Sequence, residues 1–178
     1  MEYMANEPEK LDSSKENDRR LVEFFYRNGR KRSRLATQHE DWVEKIDVWL
    51  EIVIDGSKRL VSVNTEYPGR LLNNMWYEVS DIGKRRCEKM LYCFDHAIVL
   101  DRNGLELSRT KDFHRCFLVD VEWLDRWALT HKDRWYKAED DKKKNEKKEL
   151  VDFNVLDAVK DGYAKEIDLN AVGFLKTT

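Results

Sequence analysis

The sequence predicts an α/β domain in which helices flank a mixed central β-sheet, and three observations carry that prediction. Ile46, Val48, Leu50, Ile52 and Ile54 alternate with Asp47, Trp49, Glu51 and Val53, and Asp55-Gly56 then turns the chain into a second strand over residues 59–65. Period-two alternation on both sides of a dipeptide that accepts positive φ is a hairpin signal. Residues 92–100 and 115–119 are apolar runs of strand length, and amphipathic helical stretches stand before and after the strands, at 15–28 and 121–136. Strands interleaved with helices give the layered α/β class.

Taken in order, residues 1–14 are polar and acidic, with Pro8 and Ser13-Ser14, and read as a loose arm. Ser14 is placed to cap a helix whose apolar content is Leu21, Val22, Phe24, Phe25 and Tyr26 and whose stop is Asn28-Gly29. Thr37 followed three residues later by Glu40 has the spacing of a capping box and predicts a short helix over 37–43. After the hairpin, Pro68-Gly69 breaks the chain, residues 75–80 form a third strand, and the basic stretch 83–90 is expected to be helical. Asp101-Arg102-Asn103-Gly104 is a turn, and the helix over 121–136 puts Trp123, Leu124, Trp127 and Ala128 on its apolar side. Residues 15–136 thus make the domain. Residues 137–149, with no apolar side chain after Ala138, are expected to be a charged linker or helical extension; residues 150–178 regain Phe153, Val155, Leu156, Val159, Ile167, Leu169, Phe174 and Leu175 and should pack on the domain or on a protein partner.

With 178 residues, 38% charged yet 41% hydrophobic and holding six Trp, the chain is long enough for one domain with a real core. No apolar run approaches the roughly 18 residues needed to span a bilayer, and the first thirty residues lack the apolar centre of a signal peptide, so no membrane role and an intracellular location are expected. Three cysteines argue against a disulfide framework and fit a reducing compartment. Cys87, Cys93, His96, His114 and Cys116 lack the paired short knuckles of zinc modules, and Cys93 and Cys116 fall within apolar strands, where Cys is commonly a small core residue. A net charge of −2 supplies no overall attraction to nucleic acid. Binding would rest on two local clusters, Arg30, Lys31, Arg32 and Arg34 with Arg27, and Lys84, Arg85 and Arg86 with Lys89.

The acidic and polar residues at 40, 47, 64, 78 and 80 suggest a particular chemistry. Metal-dependent phosphodiester cleavage needs carboxylates to hold Mg2+, which polarises the phosphate and readies a water, often with a lysine beside them. Strand residues two apart share a face, so Glu78 and Ser80 project together, as do Asp47 and Trp49. Each residue also has a plainer reading. Glu40 completes the capping box, Asp47 and Glu78 are outward strand positions, Asn64 approaches the Pro68-Gly69 turn, and the arginines form a solvated loop.

The order of Gln38-His39-Glu40-Asp41, Ile46-Asp47-Val48-Trp49, a hairpin, Trp76-Tyr77-Glu78 and Phe94-Asp95-His96-Ala97-Ile98-Val99 resembles the small PD-(D/E)XK nuclease-like proteins of bacteriophages and large DNA viruses, over about residues 35–130. The resemblance implies a restriction-endonuclease-like fold and a site of Glu40, Asp47, Asn64, Glu78 and Ser80, with Asp47 and Glu78 on neighbouring strands sharing Mg2+. It also implies departures. Asn64 stands where the family has aspartate, Glu66 where a lysine is common, and Glu78-Val79-Ser80 where Glu-x-Lys is usual, with Lys84 or Lys58 as a displaced lysine. Asn is a neutral, weaker Mg2+ ligand, and Ser cannot act as the ammonium does. The expected activity is therefore that of a viral nucleic-acid- or protein-binding module with little or no cleavage, acting in the host cytoplasm. An active endonuclease with a rearranged site and an assembly protein are the two alternatives.

Overall fold

The computed structural model describes residues 13–68, 75–94, 98–100, 102–103, 106–109, 113, 115–140, 143–170 and 174–175. Helix α1 (Ser13–Arg27) buries Leu21, Val22 and Phe25 completely. Each such burial stabilises by about 1.5–3 kcal/mol. The helix stops where expected: Asn28 Nδ2 donates back to the Phe24 carbonyl at 2.7 Å, and Gly29 takes φ +89°, a conformation that costs glycine little. After the short strand β1 (Arg34–Leu35) comes α2 (Gln38–Trp42), with the predicted capping box in place.

Strands β2 (Val48–Ile54) and β3 (Ser57–Glu66) form the hairpin, joined by Asp55 at φ 50° and Gly56 at φ 78°. Two consecutive positive φ values are the geometry of the primed turn whose twist matches that of paired strands. Beyond β4 (Met75–Glu78) and a single 3-10 turn, β5 (Lys89–Phe94), β6 (Ile98–Leu100), β7 (Glu106–Arg109) and β8 (Arg115–Asp120) lead into α3 (Val121–Thr130). The chain then forms β9 (Tyr136–Asp140), β10 (Lys143–Phe153), α4 (Val155–Lys160), β11 (Ala164–Asp168) and β12 (Phe174–Leu175).

The main sheet runs β1-β2-β12-β11-β8-β5-β3, and β3 also pairs with β2, so the sheet curls into a closed ring. It is mixed: β3–β5 and β12–β2 are parallel and the remaining pairs antiparallel. Alternation sends the two faces into two cores. Val48, Leu50, Ile52, Val61, Val63, Leu91 and Leu118 enclose Leu21, Val22 and Phe25 of α1. Met90, Tyr92, Phe94, Phe117 and Val119 point the other way, against Tyr77, Leu124, Val151 and Phe153. The α/β class, a mixed sheet with flanking helices, is the architecture observed.

Several expectations are corrected. β4 pairs with β10 in a separate three-stranded sheet, β4-β10-β9, so Asp47 and Glu78 do not lie on neighbouring strands. The hairpin pattern fixes local pairing, whereas the partner of β4 comes from seventy residues further along. The charge block is neither linker nor helix. Residues 136–140 and 143–153 pair as antiparallel strands because Leu150, Val151 and Phe153, buried against β4, anchor β10, and its charged half goes on pairing with β9, with a register shift between Lys143 and Lys147. Residues 150–168 pack on the domain itself, through β10, α4 and β11. Residues 83–88 are turn and extended chain rather than helix, and α3 ends at Thr130. There the Thr130 hydroxyl and His131 Nδ1 both engage the Trp127 carbonyl, which closes the last turn. Cys93 and Cys116, in register across β5 and β8 with Cα atoms 4.3 Å apart, are disulfide-bonded rather than separate core thiols. Spacing in sequence carries no record of that register. His96, His114 and residues 1–12 lie outside the described residues. No helix among the described residues is long and apolar enough to cross a membrane.

Candidate ligand-binding cleft

The residues expected to form a metal site are dispersed. Glu40 is saturated: Oε1 accepts from Arg34 Nη1 and the Thr37 amide, both at 2.9 Å, and Oε2 from Trp49 Nε1 at 2.7 Å and Arg34 Nη2 at 3.2 Å. Four donors on one carboxylate leave it no free lone pair for a cation. Led by the Arg34 hydrogen bonds, they hold its pKa down at about 2. The capping-box reading of Glu40 is thus present in the structure, tied down further by Arg34 and Trp49.

Asp47 precedes β2 and is turned inward. Its Oδ2 accepts the Thr65 amide at 2.7 Å and lies 3.2 Å from the Thr65 hydroxyl, which lies 2.6 Å from Asp18 Oδ1 on α1. Burial, with the neighbouring Asp18 carboxylate adding to it, raises the Asp47 pKa well above the usual carboxylate range. Asn64 sits within β3 and donates to the Lys45 carbonyl at 2.9 Å, fastening a residue whose own φ is 58°. Glu78 and Ser80 do meet, the Ser80 hydroxyl donating to Glu78 Oε1 at 3.0 Å on an exposed surface. Asp47, the other expected metal ligand, is held elsewhere by Thr65. No group of three or more His, Cys, Asp or Glu able to hold a metal ion occurs among the described residues. Glu66, where the resemblance expects lysine, has its pKa pushed up to about 7 by burial.

The two basic clusters differ sharply. Arg32 donates to Glu51 at 2.7 Å, Arg34 is engaged by Glu40, Lys31 stands 4.2 Å over the Tyr26 ring, and Arg30 is buried. Much of this cluster's charge is spent inside the protein. In the second, Lys84 and Arg86 are exposed while Arg85 and Cys87 turn inward, an alternation that extended chain imposes and a helix would not.

Arg85 lines a cleft of roughly 600 Å3 with Arg59, Lys89 and Arg126, the carboxylates Glu88, Asp120, Glu122 and Asp125, and the rings of Trp123 and Tyr163. Glu88 pairs with Arg59 and Asp120 with Lys89, while Asp125 accepts the Tyr77 hydroxyl. Arg85 is balanced less well. Nη2 donates to the Glu78 carbonyl at 2.8 Å and Asp81 is 4.0 Å away, yet Nε and Nη1, both buried, have no hydrogen-bond partner. The guanidinium lies 4.3 Å over the Tyr77 ring, a cation–π contact that offsets part of its burial. Burial also pushes the neighbouring Cys87 thiol up to about 12, so it stays protonated and unreactive at neutral pH. On the wall, Trp123 and Tyr163 stack at 4.9 Å with planes 12° apart, and Tyr163 is 41% exposed. Arg85 was legible only as one member of a basic run. Trp123 reads in the sequence as an apolar helix position and Tyr163 belongs to no motif, since nothing in the sequence joins residues forty apart.

No family model matches the chain, and no curated protein or solved structure matches it.

Proposed function

We propose that the protein is a non-catalytic nucleic-acid-binding module that engages its ligand in the Arg85 cleft. The observation that carries this reading is the pairing, in one cleft, of an incompletely compensated guanidinium with a stacked, partly exposed aromatic pair. Phosphates are attracted by cations, and unpaired bases stack on aromatic faces whatever their identity. A cleft of this size suits unpaired nucleotides better than a duplex. Kinship with nuclease-like viral proteins and a restriction-endonuclease-like core belong to the same proposal and rest on motif order. The lack of cleavage is supported by Glu40, Asp47 and Glu78 being engaged in three different places, where they cannot share Mg2+.

Fluorescence anisotropy with labelled single- and double-stranded oligonucleotides across a salt series tests binding. Single strands should bind more tightly, affinity should fall as salt rises, and Tyr163→Ala and Arg126→Glu should each weaken binding. Substrates should stay intact in Mg2+ and in Mn2+. Failure of either strand type to bind at low salt refutes the reading.

A further inference from the structure

The lining of the cleft combines two features that need not have met. The first is the start of α3. Asp120 occupies the N-cap position, where an aspartate usually turns its carboxylate onto the amides two or three residues on. Here it makes no capping bond and pairs with Lys89. The Val121 amide is taken by the Glu88 carbonyl at 3.2 Å, and no side chain caps this ten-residue helix. The first turn of α3, at residues 121–123, therefore lines the cleft with its amides uncapped by Asp120, and its one acidic residue, Glu122, is exposed. The second feature is Arg85, more than nine-tenths buried, whose Nε and Nη1 have no acceptor. A buried guanidinium whose only ion-pair partner among the described residues, Asp81, stands 4.0 Å from Nη2 is held at a cost that a bound anion would offset.

We propose that the α3 N-terminus and Arg85 form an oxyanion site for a phosphate group. This deepens the nucleic-acid reading by naming the group that this part of the cleft takes, and it rests on that reading only for the remainder of the ligand. Phosphate fits better than carboxylate. Its tetrahedral oxygens accept from several directions at once, which suits donors split between a helix end and a guanidinium. The surrounding carboxylates do not forbid it. Glu88, Asp120 and Asp125 each have a partner, and Glu122 is exposed at the rim. A phosphate held here leaves an attached nucleoside beside Trp123 and Tyr163, which line the same cleft.

The test is an amide NMR titration of the full chain with inorganic phosphate, against sodium chloride at equal ionic strength. Amides of Glu122, Trp123 and Leu124 should shift saturably with phosphate and not with chloride, and acetate should bind more weakly. Arg85→Met should weaken phosphate binding by about tenfold or more, as loss of a charge-assisted donor does. Because that variant could fail to fold, the titration of the unaltered protein decides. Absence of saturable shifts at these amides overturns the site, even where oligonucleotides still bind, and the broader reading then stands without it. Phosphate shifts at these amides with no oligonucleotide binding uphold the site and remove nucleic acid as its ligand.

Discussion

Asp47 accepts the backbone amide of Thr65 at 2.7 Å, while the hydroxyl of that same Thr65 lies 2.6 Å from Asp18 on α1. One threonine thus bridges two carboxyl groups, and Tyr67 donates its hydroxyl to the second. The arrangement ties the first helix to the end of β3. It engages an aspartate in a motif-like position in hydrogen bonds to the end of β3.

Replacing Asp47 tests this role. Asp47→Asn keeps an oxygen for the Thr65 amide and removes a carboxyl that burial and Asp18 disfavour ionising, so the variant should be as stable as the parent, or more so, at pH 8. Asp47→Ala leaves the amide without its acceptor and should cost about 1–3 kcal/mol. Urea unfolding at pH 8 separates the two, and equal losses would mean that the carbonyl oxygen does not matter.

Glu66 makes stability depend on pH. Its folded pKa of about 7 lies above the ordinary 4.5. A carboxyl with a raised folded pKa binds its proton more tightly in the native state, so its contribution is complete below pH 4.5 and is lost as pH rises through about 7. The parent should therefore be less stable at pH 8 than at pH 5. Asp47 acts in the same direction, so Glu66→Gln should flatten the dependence without abolishing it. An unchanged slope in urea midpoints across that window would remove Glu66 as a contributor.

Glu40 has the opposite sign. Its folded pKa of about 2 lies below 4.5, so its contribution is present above pH 4.5 and declines as pH falls toward 2. Glu40→Gln should lower the melting temperature at pH 7 and have little effect near pH 2. It should leave oligonucleotide affinity unaltered, since Glu40 stands among Arg34, Trp49 and Thr37 and does not line the cleft.

The first basic cluster can be separated from the cleft by charge reversal. Arg32→Glu with Arg34→Glu sets like charges against Glu51 and Glu40 and should reduce thermal stability. At temperatures where the variant remains folded, single-strand affinity should change far less than with Arg126→Glu. Complete loss of binding in the folded double variant would move the interface to this loop.

The sequence by itself determined the local elements of this protein. Side-chain alternation, the Asp55-Gly56 turn, the Thr37/Glu40 capping box and the Asn28-Gly29 stop act over a few residues, and each recurs in the structure at those positions. Tertiary structure alone decided which strands meet. The pairing of β4 with β10, the closure of the ring through β12, the bond between Cys93 and Cys116 and the burial of Arg85 between two exposed basic neighbours all join residues far apart or depend on register. A one-residue slip would turn each strand's inward side chains outward, and nothing in the composition of a single strand selects its partner. The cleft shares that origin, because its guanidinium, its helix end and its stacked rings come from segments of chain that only the folded sheet brings together.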